Sequence, residues 1–227
     1  MTSGKGENLP LACLIHFKGL LNIDISVVSH STSSTGELLA AQSGLHFQKI
    51  SAEKEGGRWE SDLVNAIKKV EPVIVFLLYN RIIPKAVLGL VDVPIVNIHP
   101  SILPSFKGFK AVDQAIAYGS LVTGVTAHLV DETVDGGRPI IQSIIPISEK
   151  VQSYFDLNND FKYHSAAMTL QIVKWLLNGK ISLQKRSFNL MNPSFHLSHF
   201  FPNLDVETEV MVKDYFKEKD LQHGYYN

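Results

Sequence analysis

The sequence predicts an α/β fold: a doubly wound, mostly parallel sheet flanked by helices. Three observations carry this. Short aliphatic and β-branched runs alternate with amphipathic stretches along the chain, the order expected of a sheet covered on both faces. The most apolar run, Val73-Ile74-Val75-Phe76-Leu77-Leu78, reads as a strand opened by Pro72. The polar pair in Asn97-Ile98-His99 follows the apolar Pro94-Ile95-Val96 and ends at Pro100, and strand ends are where open parallel sheets place their ligand crevices.

Taken in order, Cys13 reads as a buried helix residue, and Ile23 to Ser29 as a strand. Gly36 to Ser43 reads as a short helix, Leu45 to Ile50 as a strand and Arg58 to Val70 as a helix, with Pro72 opening the apolar run. After the Asn97/His99 strand, Lys110 to Tyr118 reads as a helix stopped by Gly119, followed by strands near Gly124 to Val130 and Arg138 to Ile147. A last long helix falls within Phe155 to Asn178, with Gly179 as its C-terminal stop. The stretch from Phe188 to Asn203, rich in Asn, Ser, Pro, Phe and His, reads as irregular, and Glu207 to Lys219 as a helix with its charges outward. The expected division is one domain over residues 1–185 with a C-terminal extension over 186–227.

A chain of 227 residues with 45% apolar composition can bury a full core. Its net charge of −1, with both signs interspersed, gives no ground for a nucleic-acid or membrane-surface partner and leaves a small molecule as the expected one. The single cysteine fits a reducing compartment. No apolar run approaches a bilayer span and the N-terminal residues have no apolar signal core, so the expected location is the cytoplasm.

Because strand side chains alternate, Asn97 and His99 project from one face, and Pro100 ends the ladder. A carboxylate follows in Thr133-Val134-Asp135-Gly136-Gly137. An amide, an imidazole and a carboxylate are the parts an acyl-transfer site needs. The alternatives are plain: Asn-x-His can be a capped turn, and Asp-Gly favours tight turns. His99, His128 and Asp135 could ligate a metal but lack ligand-like local spacing, so no metal is expected, and His128 reads as a structural strand histidine.

The run Asn97-Ile98-His99-Pro100-Ser101-Ile102-Leu103-Pro104, with Gly108 and the distant Asp135-Gly136, resembles the signature of the folate-dependent formyltransferase family. The likeness extends through Ser105-Phe106-Lys107-Gly108, Thr123-Gly124-Val125-Thr126-Ala127-His128 and Ile140-Ile141-Gln142. This resemblance implies a formyltransferase-like variant of the Rossmann fold and catalytic roles for Asn97, His99 and Asp135. It implies 10-formyltetrahydrofolate as co-substrate, held by Asn80, Arg81, Ile82, Ile83 and Asn97 and by Asp131, Glu132, Thr133, Val134 and Asp135. The implied acceptor is a primary amine, phosphoribosylglycinamide first, with an amino-sugar nucleotide or another amine as alternative; a non-catalytic folate-binding remnant is a further one.

The acceptor side departs from the family. Its phosphate-binding turn falls on Gly6, Glu7 and Asn8, where Glu7 replaces a small hydroxyl residue. Leu77-Leu78-Tyr79-Asn80 stands in place of a run containing glycine, and Tyr163-His164-Ser165-Ala166 lacks the family's Glu-His pair. The family's first buried strand is also missing before that turn, so either the start lies upstream of Met1 or the sheet has lost a central strand and gained two edges. A C-terminal segment folding over the acceptor pocket would replace the lost contacts.

Overall fold

The protein is described by a computed structural model over residues 8–29, 34–50, 58–78, 82–195 and 198–219. Its first half alternates helices and strands: α1 (Leu9–Leu21), β1 (Ser26–Ser29), α2 (Thr35–Gln42), β2 (His46–Lys49), α3 (Arg58–Val70), β3 (Val75–Leu77), α4 (Lys85–Leu90) and β4 (Ile95–His99). The second half holds α5 (Ala111–Tyr118), β5 (Val122–Leu129), β6 (Pro139–Pro146), a 3₁₀ turn at Tyr154–Leu157, α6 (Asn158–Leu177), β7 (Ile181–Leu183), β8 (Phe188–Leu190), β9 (Phe200–Phe201) and α7 (Val206–Glu218).

Local chemistry sets the ends of these elements. The Asn8 side chain accepts from Leu11 N at 3.2 Å and Pro10 sits in the first turn, where its missing N–H costs nothing. Ser34 caps α2 through Glu37 N at 3.1 Å. Gly119 and Gly179 follow α5 and α6 with φ of +78° and +65°, the left-handed geometry that glycine adopts without steric cost. Helix α3 buries Trp59, Leu63, Val64, Ala66 and Ile67 on one face, the spacing that made it legible.

The strands form a five-stranded sheet in the order β3-β4-β5-β6-β9 and a two-stranded sheet, β1-β2. Parallel pairing is confined to the first half, β1 with β2 and β3 with β4; from β4 onward the ladders are antiparallel. Among the described residues β1 has a ladder only to β2, and β3 only to β4, and Leu78 at the end of β3 makes a further single bridge. Val28 and Val75 pack on one apolar cluster with α3 and α4, which keeps the two sheets in one body. No helix among the described residues is long and apolar enough to cross a membrane.

The stretch read as irregular contains two strands: β8 pairs with β7 in a hairpin, and β9 adds to the edge of β6. Strands of three and two residues are too short to show a period-2 pattern. The six-residue α4 was missed for the same reason. Helix α7 buries Thr208, Met211, Val212, Tyr215 and Phe216, an i, i+3, i+4, i+7, i+8 stripe, in the same core as α6 and β5. Its approach is fixed by polar contacts: Gln171 Nε2 donates to Asp205 Oδ2 at 3.0 Å, and the buried Lys174 reaches Glu207 at 2.6 Å. The 185/186 division falls in the turn of the β7–β8 hairpin. Cys13 is fully buried, and burial pushes its thiol up to about 12, which leaves it unreactive.

Phe216 is 1% exposed in this shared core. Phe216→Ala is therefore expected to cost about 3–5 kcal/mol of unfolding free energy in one cooperative urea transition; an unchanged main transition would show that α7 is an independent appendage.

Candidate active site

Antiparallel pairing sets the first part of the site. Asn97 lies directly opposite His128 and His99 opposite Thr126, which puts all four side chains on one face of the β4–β5 ladder. Next to His128 the β5–β6 register shifts, an irregularity that re-aims side chains beside the loop leaving β5. That loop carries Asp135, held at φ +47°, a left-handed conformation that Asp tolerates better than most residues.

A second loop, after β4, is fixed from beneath by buried polar groups. Thr126 Oγ1 donates to the Ser101 carbonyl at 2.7 Å and accepts from Leu103 N at 3.1 Å. Gln142 Nε2 donates to the Leu103 carbonyl at 2.9 Å, and Ser101 Oγ to the Ser105 carbonyl at 2.7 Å. With its backbone held in this way, the loop turns the Phe106 carbonyl and the Gly108 N–H toward the site.

The centre of the cluster is the Asp135 carboxylate, whose side chain is 12% exposed. Oδ2 accepts from Gly108 N at 2.8 Å and lies 3.3 Å from His99 Nδ1; Oδ1 lies 3.7 Å from His128 Nε2. His99 Nε2 donates to the Phe106 carbonyl at 3.0 Å. His128 Nδ1 donates to the Leu129 carbonyl at 2.8 Å; in the neutral ring Nε2 accepts from Asn97 Nδ2 at 3.3 Å, and in the protonated ring Nε2 faces Asp135 as a donor. The second hydrogen of that amide is then available to another acceptor. His128, read from sequence as a structural strand residue, is thus a member of the cluster; its register opposite Asn97 is a long-range fact that alternation alone does not supply.

Burial acts on both titrating partners. For His99 it disfavours the charged ring, the charge of His128 adds to this, and together they outweigh the Phe106 carbonyl and Asp135, so His99 sits below the ordinary histidine value. For Asp135 burial would raise the carboxyl, but the hydrogen bonds to His128 and Gly108 and the histidine charges win and hold it below the ordinary range. The contacts around His99 favour a cation, since both ring nitrogens face acceptors; in the protein alone desolvation is the stronger influence. A further anionic oxygen at the cluster would tip that balance toward the imidazolium.

The cluster opens on a cavity of about 520 Å³. Ile82 and Ile83 line one wall and Glu132, Thr133, Val134 and Asp135 another. Asp131 stands behind this wall, its Oδ1 accepting from Thr133 N at 2.8 Å and Thr133 Oγ1 at 2.6 Å. Asn80, Arg81, Gly6 and Glu7 lie outside the described residues, whereas Asn8 lines the cavity. Lys110, Lys162, Phe109 and Tyr154 also line it and were not singled out from sequence, as does Ser165 of the Tyr163-His164-Ser165-Ala166 run. Lys162 and Ser165 are three residues apart on α6 and so share a face, but most of that helix is buried and offers no clean polar stripe. None of the described residues from 188 onward lines the cavity; residues 196–197 and 220–227 of the expected cover lie outside the described residues. No group of three or more His, Cys, Asp or Glu side chains among the described residues is arranged to hold a metal ion.

Residues 1–172 match the model of a family described as formyl transferase. Over 155 residues the chain is 34% identical to the chloroplastic phosphoribosylglycinamide formyltransferase of Vigna unguiculata, covering 64% of this chain and 49% of that protein. It is 26% identical over 194 residues to the phosphoribosylglycinamide formyltransferase of Escherichia coli K12, covering 82% and 90%. Against a methionyl-tRNA formyltransferase of Fusobacterium nucleatum it is 27% identical over 133 residues, covering 58% of this chain and 43% of that one. The chain thus spans less than half the length of several curated relatives that it matches. The crystal structure of glycinamide ribonucleotide transformylase 1 from Symbiobacterium toebii shares the fold, with a TM-score of 0.72 at 23% identity over 83% of this chain and 91% of that one.

The depressed His99 means that the folded state binds fewer protons than the unfolded chain between the ordinary histidine value and its own, so stability falls as pH is lowered through that window. The depressed Asp135 stabilises above the ordinary carboxyl range, and this is lost as pH falls through its own lower value. Asp135→Asn is expected to lower the His99 titration further, read from its imidazole NMR shifts, and to remove the acid-side loss. An unmoved His99 titration would contradict the coupling.

Proposed function

The chain belongs to the formyl transferase family, and from that premise we propose that it transfers the formyl group of 10-formyltetrahydrofolate to a primary amine, with phosphoribosylglycinamide as the acceptor. The observation that carries this reading is the Asp135 carboxylate set between His99, His128 and the Gly108 N–H, beside the Asn97 amide, on the wall of one cavity.

Attack of the amine on the formyl carbon forms a C–N bond and a tetrahedral intermediate with negative charge on the former carbonyl oxygen. The Asn97 amide, oriented by His128, and the His99 imidazolium donate to that oxygen. His99 Nδ1 stands 3.3 Å from Asp135, longer than a tight charge-assisted bond of about 2.7–2.9 Å, so the proton there can be shared with an incoming oxyanion. Asp135 offsets the imidazolium charge and, through water, takes the proton the attacking amine must lose. Breaking of the bond to N10 then releases tetrahydrofolate, whose nitrogen accepts a proton. A preorganised donor of this kind contributes on the order of 3 kcal/mol to lowering the barrier.

The walls divide the work. Ile82, Ile83, Val130 and the 132–135 loop offer apolar side chains and backbone groups to a flat heteroaromatic ring. Asn8, Lys110, Lys162 and Ser165 form the polar part, suited to an anionic acceptor. Leu78 and Ser165, which stand on the acceptor wall where the family pattern differs, favour a second reading: the same chemistry on another amine, such as an amino-sugar nucleotide.

The test is tetrahydrofolate release from 10-formyltetrahydrofolate with and without phosphoribosylglycinamide. Ribotide-dependent turnover that falls by about 100-fold or more in His99→Ala is expected. Turnover only with other amines would move the assignment to the second reading, and absence of folate binding would overturn both.

A further inference from the structure

The hairpin formed by β7 and β8 reaches the loop that carries Asp135 at both of its ends. At the near end, Arg186 in the hairpin turn pairs with Glu132, and Lys185 and Arg186 lie beside Val130 and Asp131. At the far end, the Arg138 guanidinium lies 4.3 Å from the centre of the Phe188 ring, and its Nη1 donates to the Phe188 carbonyl at 3.2 Å. Arg138 in turn closes the base of the loop, its carbonyl accepting from Leu129 N at 3.0 Å.

The hairpin is itself firmly founded. It leaves α6 through Gly179, its Ile181 is 3% exposed in the principal core, and Lys180 N donates to the Trp175 carbonyl at 2.8 Å. Its turn is closed by Gln184 N donating to the Ser187 carbonyl at 2.8 Å and Ser187 Oγ donating to Gln184 Oε1 at 2.9 Å. The loop has few internal ties by comparison, the Asp131–Thr133 contacts and Gly136 N to the Thr133 carbonyl at 3.3 Å, and outside the hairpin it is held through Asp135 to Gly108 and the two histidines. Those contacts hold the loop only at Asp135; the hairpin supplies support at Glu132 and Arg138, on either side of it.

We propose that the β7–β8 hairpin is a clamp that positions Asp135 for the reaction, with Arg186 and Phe188 as positioning residues acting through Glu132 and Arg138. The proposal rests on the formyl-transfer reading for its kinetic consequence and on the protein alone for its structural one. Neither arginine touches the His99–Asp135 pair, so the clamp acts on where the carboxylate stands.

The test is amide hydrogen exchange over residues 130–137 and at Gly108 in Arg186→Glu, Phe188→Ala, and the charge-swapped double variant Glu132→Arg/Arg186→Glu, together with kcat and KM. Exposed ion pairs are worth little singly, so Arg186→Glu is expected to speed exchange in this segment by about fivefold, with the rest of the protein unchanged and the swapped pair restoring protection. In an active preparation kcat should fall by a similar factor, and the pH at which His99 titrates should move with it. Faster exchange without any formyl transfer would leave the clamp standing and remove the reaction assigned to it. Unchanged exchange at 130–137 and Gly108 in both single variants, or no rescue by the swap, would overturn the proposal.

Discussion

The Asp135 carboxylate, largely shielded from water, is the group on which the rest of the site depends. An anion withdrawn from solvent is costly unless hydrogen-bonded and matched by charge. Here its partners come from three places: His99 on β4, His128 on β5, and the Gly108 N–H from the loop after β4. Two of its own neighbours are fixed by packing. A Cβ on Gly137 would stand 1.7 Å from the Leu129 carbonyl and one on Gly136 would stand 1.9 Å from Thr133 Oγ1, so the chain can pass here only as glycine. The turn chemistry of Asp-Gly-Gly and the placement of the carboxylate are therefore one requirement, and the turn reading and the site reading of Asp135 do not compete.

The two halves of the sheet divide the labour. Parallel β3 and β4 end at the cavity and bring Leu77, Asn97 and His99 to its floor. The antiparallel β5 and β6 lock His128 opposite Asn97 and, through Thr126 and Gln142, hold the loop whose carbonyl and N–H face the cluster. A histidine bonded at both nitrogens and an amide aligned by a histidine lose little freedom when a substrate oxygen arrives. That is the physical content of preorganisation in this cavity. The depressed His99 makes the imidazolium a form favoured chiefly when negative charge is present to hold it.

Much of this was legible in the sequence because it is local. Asn97 and His99 share a face by strand alternation, Pro100 marks where the strand ends, and α3 and α7 announce themselves by their apolar stripes. What could not be read was set by pairing between distant segments. The antiparallel direction of β5 and β6, the position of His128 opposite Asn97, and the edge strand β9 depend on register, which no window of a dozen residues contains. Lys162 was hidden for a different reason: α6 is buried on nearly all sides, so its polar residues give no clean stripe to follow.

The central claim is that the carboxylate-centred cluster meets the formyl oxygen. The most direct measurement is the imidazole NMR titration of His99 and His128 in the protein alone and with a non-transferable 10-formylfolate analogue bound. Because a bound oxygen at the cluster adds an acceptor, the His99 titration is expected to rise on binding while the analogue stabilises the protein. An analogue that binds and leaves both histidines unmoved would place the formyl group elsewhere and contradict the account.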